Sequence, residues 1–390
     1  MAGRTVLFPF LGTGIGGSHV ATFALASELL LDGDRCIFLC AGHNSIAERA
    51  AQLGFEVVDT HERPATAANG RHPPAYDATR FATRLAFLRR WRGTGAVVHC
   101  NDLATLTSWG LAARLLGYSV IYHHHSLNRM IWPTRMMVKL ASGVIFVSEA
   151  CRENLPFLPL HRTKVVLNPF DVDLGIDRDE ARREVIGRHG LPGDSRLVGF
   201  VGNFWHRKRP CFFLDVCQAI AANDPRARFV IFGRKGEMSE DDLMTAAARL
   251  GIADRTILAG FQLPGERNIA ALDLMLAPAV REPFGRTLVE ALLVGTPYVA
   301  TRDAGHAEIH ERWRGGLVLE TSTSASAFAE AALSALDDPL RVVLPIEARR
   351  AAAAELASRE HMLAVTEFYD DMGRGRLRQG GGARKPAVAP

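Results

Sequence analysis

Two carboxylates, Glu282 and Glu290, stand eight positions apart on either side of a predicted helix start near Gly285. The N-terminus of a helix carries unsatisfied N–H groups and a partial positive charge, so this turn suits a phosphate group. Glu282 is placed to accept hydrogen bonds from sugar hydroxyls, and Glu290, four residues after Arg286, is placed to reach a ribose. Taken alone, the spacing favours a charged loop and one solvated helical glutamate. The flanking chain reverses that preference.

A second chemically active stretch is a run of three cations before a predicted helix. Arg207, Lys208 and Arg209 follow the predicted strand Leu197–Val201 and precede Pro210. Ammonium and guanidinium groups at such a position complement phosphates.

Three adjacent histidines, His123, His124 and His125, follow a further predicted strand. Consecutive strand residues point to opposite sides, so the three form a poor metal cage. One of them, at the carboxyl end of a strand, is well placed for a ligand cleft. Considered singly, each histidine is more often a polar loop residue than a catalytic one.

A glycine-rich loop opens the chain. Gly12, Gly14 and Gly17 match the dinucleotide fingerprint after the predicted strand Thr5–Phe10. The next strand, Arg35–Cys40, ends without the acid that would hold a nicotinamide cofactor's ribose. We therefore expect a loop that lets the backbone approach a ligand closely, with a purely structural tight turn as the alternative.

Length and composition set the frame for these motifs. A chain of 390 residues with 48% hydrophobic and 23% charged residues is typical of a globular protein with two domains. The N-terminus has no signal-peptide layout, which favours the cytoplasm. The net charge of +4 is mild, and no nucleic-acid partner is expected. The six cysteines include no C-x-x-C pair, so a zinc site is not expected.

The basic charge is concentrated between His61 and Arg92, a segment with seven arginines and only two acidic residues. The predicted helix Asp77–Trp91 in this segment carries an apolar stripe of Phe81, Leu85 and Leu88. Five arginines are arrayed around that stripe: Arg80, Arg84, Arg89, Arg90 and Arg92. The favoured interpretation is a domain helix with a basic outer face. The open alternative is peripheral contact with an anionic membrane, at its inner face.

Predicted strands and helices alternate along two halves of the chain, which indicates two doubly wound α/β domains. A turn-rich joint, Asn168–Asp173, separates them. We expect an N-terminal domain over residues 1–170, completed by a C-terminal helix at about 360–372, and a second domain over residues 171–359. Residues 373–390 are expected to be a disordered tail.

Several short motifs occur in a fixed order along these halves. They are Gly16–Ser18, Val147–Glu149, Asn168–Asp171, Glu282–Glu290, Gly295–Tyr298 and Gly305–Glu308. In that order the chain resembles a retaining glycosyltransferase of family 4 (glycosyl transferases group 1, GT-B fold), to about Met372.

The resemblance implies two Rossmann-like domains facing across a cleft, with the nucleotide held mainly by the second. It implies transfer of a sugar from a nucleotide-sugar donor with retention, without metal or other cofactor, to a saccharide or lipid-linked acceptor. Surface polysaccharide or glycolipid synthesis is the expected setting.

The resemblance also implies residue roles. His125, Glu282 and Lys208 would be catalytic: His125 lines the reaction centre, Glu282 binds the transferred sugar and Lys208 contacts the diphosphate. The expected donor-binding residues are Gly16, Gly17, Arg207, Lys208, Phe284, Gly285, Arg286, Thr287 and Glu290. Asn203 stands where the family commonly has an arginine, and Arg207 or Arg209 is the candidate to take over that arginine's role. His306 stands where the family usually has a glycine.

Three other functions remain open from the sequence. A nucleotide-sugar epimerase shares the fold and needs no acceptor. A non-catalytic GT-B partner subunit would bind no nucleotide. An NAD-dependent oxidoreductase is the least favoured.

Overall fold

The computed structural model of the chain describes residues 3–62, 78–262 and 264–380. The chain divides into two compact units. Unit 1 comprises Met1–Pro169 with Ser358–Pro390, and unit 2 comprises Phe170–Ala357.

Unit 1 contains one parallel sheet of seven strands in the order β3-β2-β1-β4-β5-β6-β7. The strands are β1 Thr5–Pro9, β2 Arg35–Cys40, β3 Glu56–Asp59, β4 Val97–Cys100, β5 Ser119–His124, β6 Gly143–Phe146 and β7 Thr163–Val165. The helices are α1 Gly17–Leu31, α2 Ser45–Gln52, α3 Ala78–Leu88, α4 Leu103–Leu115, α5 Trp132–Leu140 and α6 Glu149–Glu153, with 3-10 turns at Arg89–Trp91 and Leu160–Arg162.

Unit 2 contains a parallel sheet of six strands in the order β10-β9-β8-β11-β12-β13. The strands are β8 Arg196–Val201, β9 Ala227–Phe232, β10 Thr256–Gly260, β11 Leu274–Ala277, β12 Tyr298–Arg302 and β13 Leu317–Glu320. The helices are α7 Arg178–His189, α8 Pro210–Ala221, α9 Glu240–Arg249, α10 Gly265–Ala270, α11 Arg286–Val294, α12 Ala304–Trp313, α13 Ala325–Asp337 and α14 Ile346–Glu355, with 3-10 turns at His206–Lys208, Ala253–Arg255 and Pro339–Arg341.

The last helix, α15 Ser358–Gly380, returns to unit 1. Its side chains Phe368 and Tyr369 join the same core as Phe8 and Phe38. Gly143 permits this contact, because a Cβ at that position would lie 2.6 Å from Cζ of Phe368. Burial of these aromatic side chains is what fixes α15 to the sheet.

The inner strands of both sheets are buried on both faces, which explains their nearly continuous apolar sequences. In β8, Leu197, Val198 and Phe200 are all almost fully buried, as expected for a parallel strand covered by helices on two sides. Two doubly wound, Rossmann-like domains are therefore confirmed. The strand order reverses between β1 and β4 in unit 1, and between β8 and β11 in unit 2. Ligands of such sheets bind at the carboxyl ends of the strands at this switch point.

The expected basic helix differs from its sequence-based description. Arg84 is buried rather than outward-facing, because its guanidinium donates two hydrogen bonds of 2.7 Å to Glu62 and one of 3.1 Å to the carbonyl of Ser108. The buried residues of this segment are Arg84, Phe87, Leu88 and Trp91, so the packed face shares Leu88 with the predicted stripe but leaves Phe81 and Leu85 only partly buried. The apolar side of α3 therefore packs within unit 1. The predicted start of this helix at residue 77 lies outside the described residues.

The end of the chain also differs from expectation. Helix α15 continues to Gly380, so residues 373–380, expected to be part of a disordered tail, are helical. The residues between the tail glycines include good helix formers, such as Arg374 and Leu377. Residues 381–390, the remainder of that predicted tail, lie outside the described part of the chain. Within the described residues, no helix has the length and apolarity needed to cross a bilayer.

Candidate functional site

Two loops meet at the switch point of the unit 2 sheet. One follows β8 and carries Arg207 and Lys208, and the other follows β11 and carries Glu282. The backbone N–H of Val280 donates a 2.8 Å hydrogen bond to the carbonyl of Arg207, which ties the loops together. Residues 75 positions apart in the sequence are thus brought to one edge of the sheet.

Glu282 is the centre of this site. Its Oε2 lies 2.6 Å from Nζ of Lys208 and 2.6 Å from a guanidinium nitrogen of Arg207. Burial alone would raise the pKa of Glu282, but the Lys208 and Arg207 cations outweigh it and lower that pKa to about 2. The carboxylate is therefore ionised at neutral pH and accepts hydrogen bonds without donating any.

Helix α11 begins beside this ion pair with no capping side chain, since its N-cap is Gly285. Gly285 has φ of 100°, and a Cβ there would lie 2.6 Å from Cδ2 of His306. Across the same contact, a Cβ at Gly305 would lie 2.4 Å from the carbonyl oxygen of Phe284. Both glycines are required for this close approach. The first-turn N–H groups, including that of Thr287, form a helix N-terminus of the kind that binds anions.

Arg286 and Glu290 lie on one face of α11. Their charged groups are 3.6 Å apart, and the Arg286 guanidinium stacks over Phe170 at 4.2 Å from the ring centroid. Phe284 packs against the same Phe170 ring. Burial raises the pKa of Glu290 to about 7, although Arg286 opposes the shift. Near neutral pH, Glu290 can therefore both donate and accept a hydrogen bond.

The two cations considered as substitutes at Asn203 have different surroundings. Arg207 contacts Glu282, as described above. Arg209 has left-handed backbone geometry, and its guanidinium lies 3.9 Å from the ring centroid of Phe212. The geometry therefore favours Arg207 for contact with a ligand held by Lys208.

His306, in the first turn of α12, is fully buried, and its ring lies next to Gly285 at the start of α11. Burial lowers the pKa of His306 to about 4, against the raising effect of the Glu282 carboxylate. The ring is therefore neutral at physiological pH and fills space next to the helix start without adding charge.

In unit 1, Gly16 and Gly17 form the start of α1. Gly16 is extended, and its N–H donates to Nδ1 of His19 at 3.2 Å. At the adjoining end of β4, Asn101 accepts a 2.7 Å hydrogen bond from the hydroxyl of Thr22. This loop lies at the switch point of the unit 1 sheet, where a ligand is expected.

His125 belongs to a buried histidine cluster that the sequence did not reveal. Its ring lies 4.3 Å from that of His123, which in turn contacts the rings of His99 and His361. His99 Nδ1 is 2.6 Å from the hydroxyl of Tyr369. Burial, followed by the neighbouring histidines, holds the pKa of His125 well below its usual range. His125 is therefore a neutral hydrogen-bonding group at physiological pH.

The cluster gathers residues from β4, β5 and α15, so no local pattern in the sequence signals it. Among residues 3–62, 78–262 and 264–380, no group of three or more histidine, cysteine or acidic side chains is arranged to hold a metal ion.

Two family models match the chain, one over each half. Residues 15–174 match the model described as "Glycosyltransferase Family 4", and residues 181–355 match "Glycosyl transferases group 1". These ranges include Gly16 and Gly17 of unit 1 and the whole charged site of unit 2.

Curated relatives and solved structures agree with these matches. The chain is 28% identical over 318 residues to the 2-deoxystreptamine glucosyltransferase of Streptomyces kanamyceticus, covering 74% of this chain and 80% of the relative. A D-inositol 3-phosphate glycosyltransferase of Mycobacterium bovis is 35% identical over 143 residues, which covers 34% of this chain and only 28% of that protein.

Among solved structures, Anabaena Alr3699/HepE in complex with UDP and glucose superposes with a TM-score of 0.79 at 20% identity, covering 94% of this chain and 99% of that one. WaaG, a glycosyltransferase involved in lipopolysaccharide biosynthesis, gives a TM-score of 0.63 at 15% identity, with coverage of 97% and 100%. At these identities the likeness shows the fold. Fold, ordered motifs and family models converge, and the chain belongs to the family 4 glycosyltransferases of the GT-B fold.

Proposed function

We propose that this glycosyltransferase is retaining and metal-independent, and that its donor is a nucleotide sugar. The acceptor in this proposal is a saccharide or a lipid-linked saccharide of surface polysaccharide or glycolipid synthesis. The observation that carries the proposal is the meeting of Arg207, Lys208 and Glu282 at the start of α11. The glucosyltransferase activity of the Streptomyces relative and the UDP and glucose bound to Alr3699/HepE support a nucleotide-sugar donor.

The diphosphate of the donor is assigned to the α11 N-terminus. Backbone N–H groups over residues 284–287 and the helix dipole favour an anion there. Lys208 and Arg207 add two cations on the same side. These groups stabilise the negative charge that grows on the diphosphate as the glycosidic bond breaks.

Glu282 is assigned to the hydroxyls of the transferred sugar. Both cations contact its Oε2, so we assign Oε1 to the sugar. Because Lys208 and Arg207 hold the carboxylate ionised, Glu282 accepts hydrogen bonds from the sugar hydroxyls. The same contacts link sugar recognition to the diphosphate clamp.

Glu290 is assigned to the ribose hydroxyls, for which a carboxyl group that both donates and accepts is suited. Gly16 and Gly17 of unit 1 are assigned to backbone contact with the donor. His125, neutral and partly buried, is assigned to hydrogen bonding with the transferred sugar.

The reaction breaks the bond between the anomeric carbon and the diphosphate oxygen, and forms a bond from that carbon to the acceptor oxygen on the same face. The acceptor's hydroxyl proton passes to the departing diphosphate oxygen. Lys208, through charge alone, lowers the energy of that leaving group.

The test is a panel of nucleotide sugars scored by thermal shift and by release of nucleoside diphosphate. With the donor so identified, Lys208→Ala is expected to lower kcat/KM by about a hundredfold to a thousandfold, the cost typical of removing one charge-stabilising group. Arg267→Ala is the matched control, because Arg267 forms an exposed ion pair with Glu184 elsewhere in unit 2.

Three outcomes would count against the proposal. Full activity of both Lys208→Ala and Glu282→Ala would show that these two residues do not form the donor site. An isomerised nucleotide sugar formed without acceptor would identify an epimerase, and absence of any nucleotide binding would favour a non-catalytic partner subunit. Product anomers determined by NMR test retention, and activity in EDTA tests metal independence. The cytoplasmic location expected from the sequence stays a prediction.

A further inference from the structure

The glycine loop of unit 1, residues 11–16, joins the end of β1 to α1. Gly12, Gly14 and Gly16 all have φ values that other residues adopt, so backbone conformation does not require glycine at any of them. A Cβ at Gly12 or Gly14 would meet nothing within 4 Å among the described residues, and one at Gly16 would make only ordinary contact. These glycines therefore leave open a space in which a ligand can approach the backbone closely.

Two side chains anchor the backbone of this loop. The hydroxyl of Ser45, at the start of α2, donates a hydrogen bond to the carbonyl of Thr13. The N–H of Gly16 donates to Nδ1 of His19, which lies in the first turn of α1. A side chain at this third helical position that accepts from the N-cap N–H is one half of a capping box. His19 therefore joins the end of the loop to the helix that follows it.

The surroundings of His19 favour a neutral ring. The ring packs against that of Phe10, with centroids 5.4 Å apart. The titratable groups that interact with it are Asp102, the N-cap of α4, and His125 after β5. Burial lowers the pKa of His19, and the Asp102 carboxylate offsets that shift only in part. The imidazole is therefore uncharged at neutral pH.

The anchor at Gly16 depends on the position of one proton. Nδ1 of His19 accepts the Gly16 N–H only while it carries no hydrogen, so the neutral ring must hold its proton on Nε2. A protonated imidazole has two donors and no acceptor, and it would direct an N–H at the N–H of Gly16. Protonation of His19 therefore releases this end of the loop.

We propose that His19 is a positioning residue, which holds Gly16 and the glycine loop through Nδ1 in the conformation that receives the donor. The inference rests on the proposed assignment of Gly16 and Gly17 to backbone contact with the nucleotide sugar. His19 acts through Gly16, so its loss weakens donor binding without removing a group from the chemical step. Because burial lowers its pKa, the loop is held at neutral pH and is released as the pH falls below about 6.5.

The experiment is steady-state kinetics of the full chain between about pH 5 and pH 8, with the donor found in the nucleotide-sugar panel. His19→Phe keeps an aromatic ring beside Phe10 but has no acceptor. It is expected to raise the KM for the donor about threefold to tenfold at every pH, which is the effect of one lost hydrogen bond, with kcat within about twofold of the wild type.

His19→Gln is the conservative variant, because glutamine at this helix position accepts the N-cap N–H at every pH. Its KM for the donor is expected to match the wild type at pH 8 within about twofold. As the pH falls, the KM of the wild type should rise above that of His19→Gln and approach that of His19→Phe. The ratio of the two KM values is the readout, since titration of Glu290, whose pKa is about 7, affects both proteins and cancels.

Ser45→Ala is the matched control, because it removes the other anchor with a group that does not titrate. It is expected to raise the KM for the donor while keeping the wild-type dependence on pH. A second measurement needs no transferase activity: hydrogen exchange of peptides covering residues 11–22 should be faster in His19→Phe than in His19→Gln. Thermal unfolding at each pH confirms that every variant is folded.

The inference is overturned if His19→Gln shows the same rise in KM at low pH as the wild type, or if His19→Phe leaves KM unchanged. A fall in kcat at constant KM in both variants would place His19 in the chemical step and contradict a positioning role. If no nucleotide sugar is a substrate, the proposed function fails by itself. Hydrogen exchange then still decides the inference, because equal exchange in His19→Phe and His19→Gln would show that His19 does not anchor the loop.

Discussion

The ion pair between Glu282 and Lys208 makes a quantitative prediction about unit 2. The pKa of Glu282 falls from 4.5 to about 2 even though the carboxylate is buried. A shift of that size corresponds to about 3 kcal/mol of interaction with the ionised carboxylate. Lys208 is 15% exposed, so its charge has little access to water when its partner is removed.

Glu282→Gln is therefore expected to destabilise unit 2 by about 3 kcal/mol at pH 7, because it leaves the Lys208 cation, only 15% exposed, without a counter-ion. Lys208→Met alone is expected to cost a similar amount. The double variant should cost much less than the sum of the two, with a coupling energy of about 2–3 kcal/mol. The equivalent cycle with Arg207, which is 42% exposed, should give no more than about 1 kcal/mol because water screens that charge.

The measurement is hydrogen exchange by mass spectrometry across a urea series, read from peptides covering β8 and β11. Additive effects of Glu282→Gln and Lys208→Met, within about 0.5 kcal/mol, would refute the reasoning. Equal coupling for Lys208 and Arg207 would show that burial does not control the strength of these pairs.

Three further predictions follow from single residues. Burial raises the pKa of Glu290 to about 7, so ionising this carboxyl in the folded state costs stability that grows as the pH rises from about 4.5 to 7. Glu290→Gln should therefore raise the thermal midpoint more at pH 8 than at pH 5. Equal shifts at the two pH values would contradict this. Gly285→Ala should destabilise the protein by about 2 kcal/mol or more, because the residue has a positive φ and the new Cβ would clash with His306. Gly187→Ala in α7, where a Cβ meets open space, should be neutral or stabilising by up to about 1 kcal/mol. Urea unfolding measures both changes. Burial lowers the pKa of His124 to about 4, so the unfolded chain is protonated first as the pH falls from about 6.5 towards 4. His124 alone should therefore lower the stability of unit 1 by about 1.4 kcal/mol per pH unit, in addition to the contributions of His99 and His123, whose pKa values burial also lowers. Hydrogen exchange, corrected for the intrinsic rate, should depend less steeply on pH in His124→Gln than in the wild type, and equal slopes would contradict the prediction.

The fold was predictable because parallel strands covered on both faces are continuous apolar runs. The predicted strand Leu197–Val201 is observed as Arg196–Val201, and the glycine-containing loop follows it as expected. Motif order then placed Lys208 and Glu282 in one site, and the structure shows them in contact. Local sequence was sufficient for these features because each is carried by a short segment next to a strand end.

Other features depend on partners distant in the sequence. Arg84 was expected outside, but Glu62, 22 residues earlier, pairs with it in the interior. His125 was considered singly, whereas His361, brought in by α15, completes its surroundings. Neither the pairing of a buried arginine nor the convergence of a histidine cluster has a periodicity that a sequence window can detect.

The return of α15 to unit 1 has a consequence for biosynthesis. Residues 170–357 must leave the ribosome before the segment that completes the first domain's core is made. At about 5–20 residues per second, those 188 residues delay completion by about 10–40 s. Unit 2 is contiguous in sequence and can fold during that interval. The core around Phe8 and Phe38 stays incomplete until Phe368 and Tyr369 are made. The N-terminal half of the nascent chain is therefore the part exposed to chaperones and proteases, and a premature stop before residue 358 should leave it unable to mature.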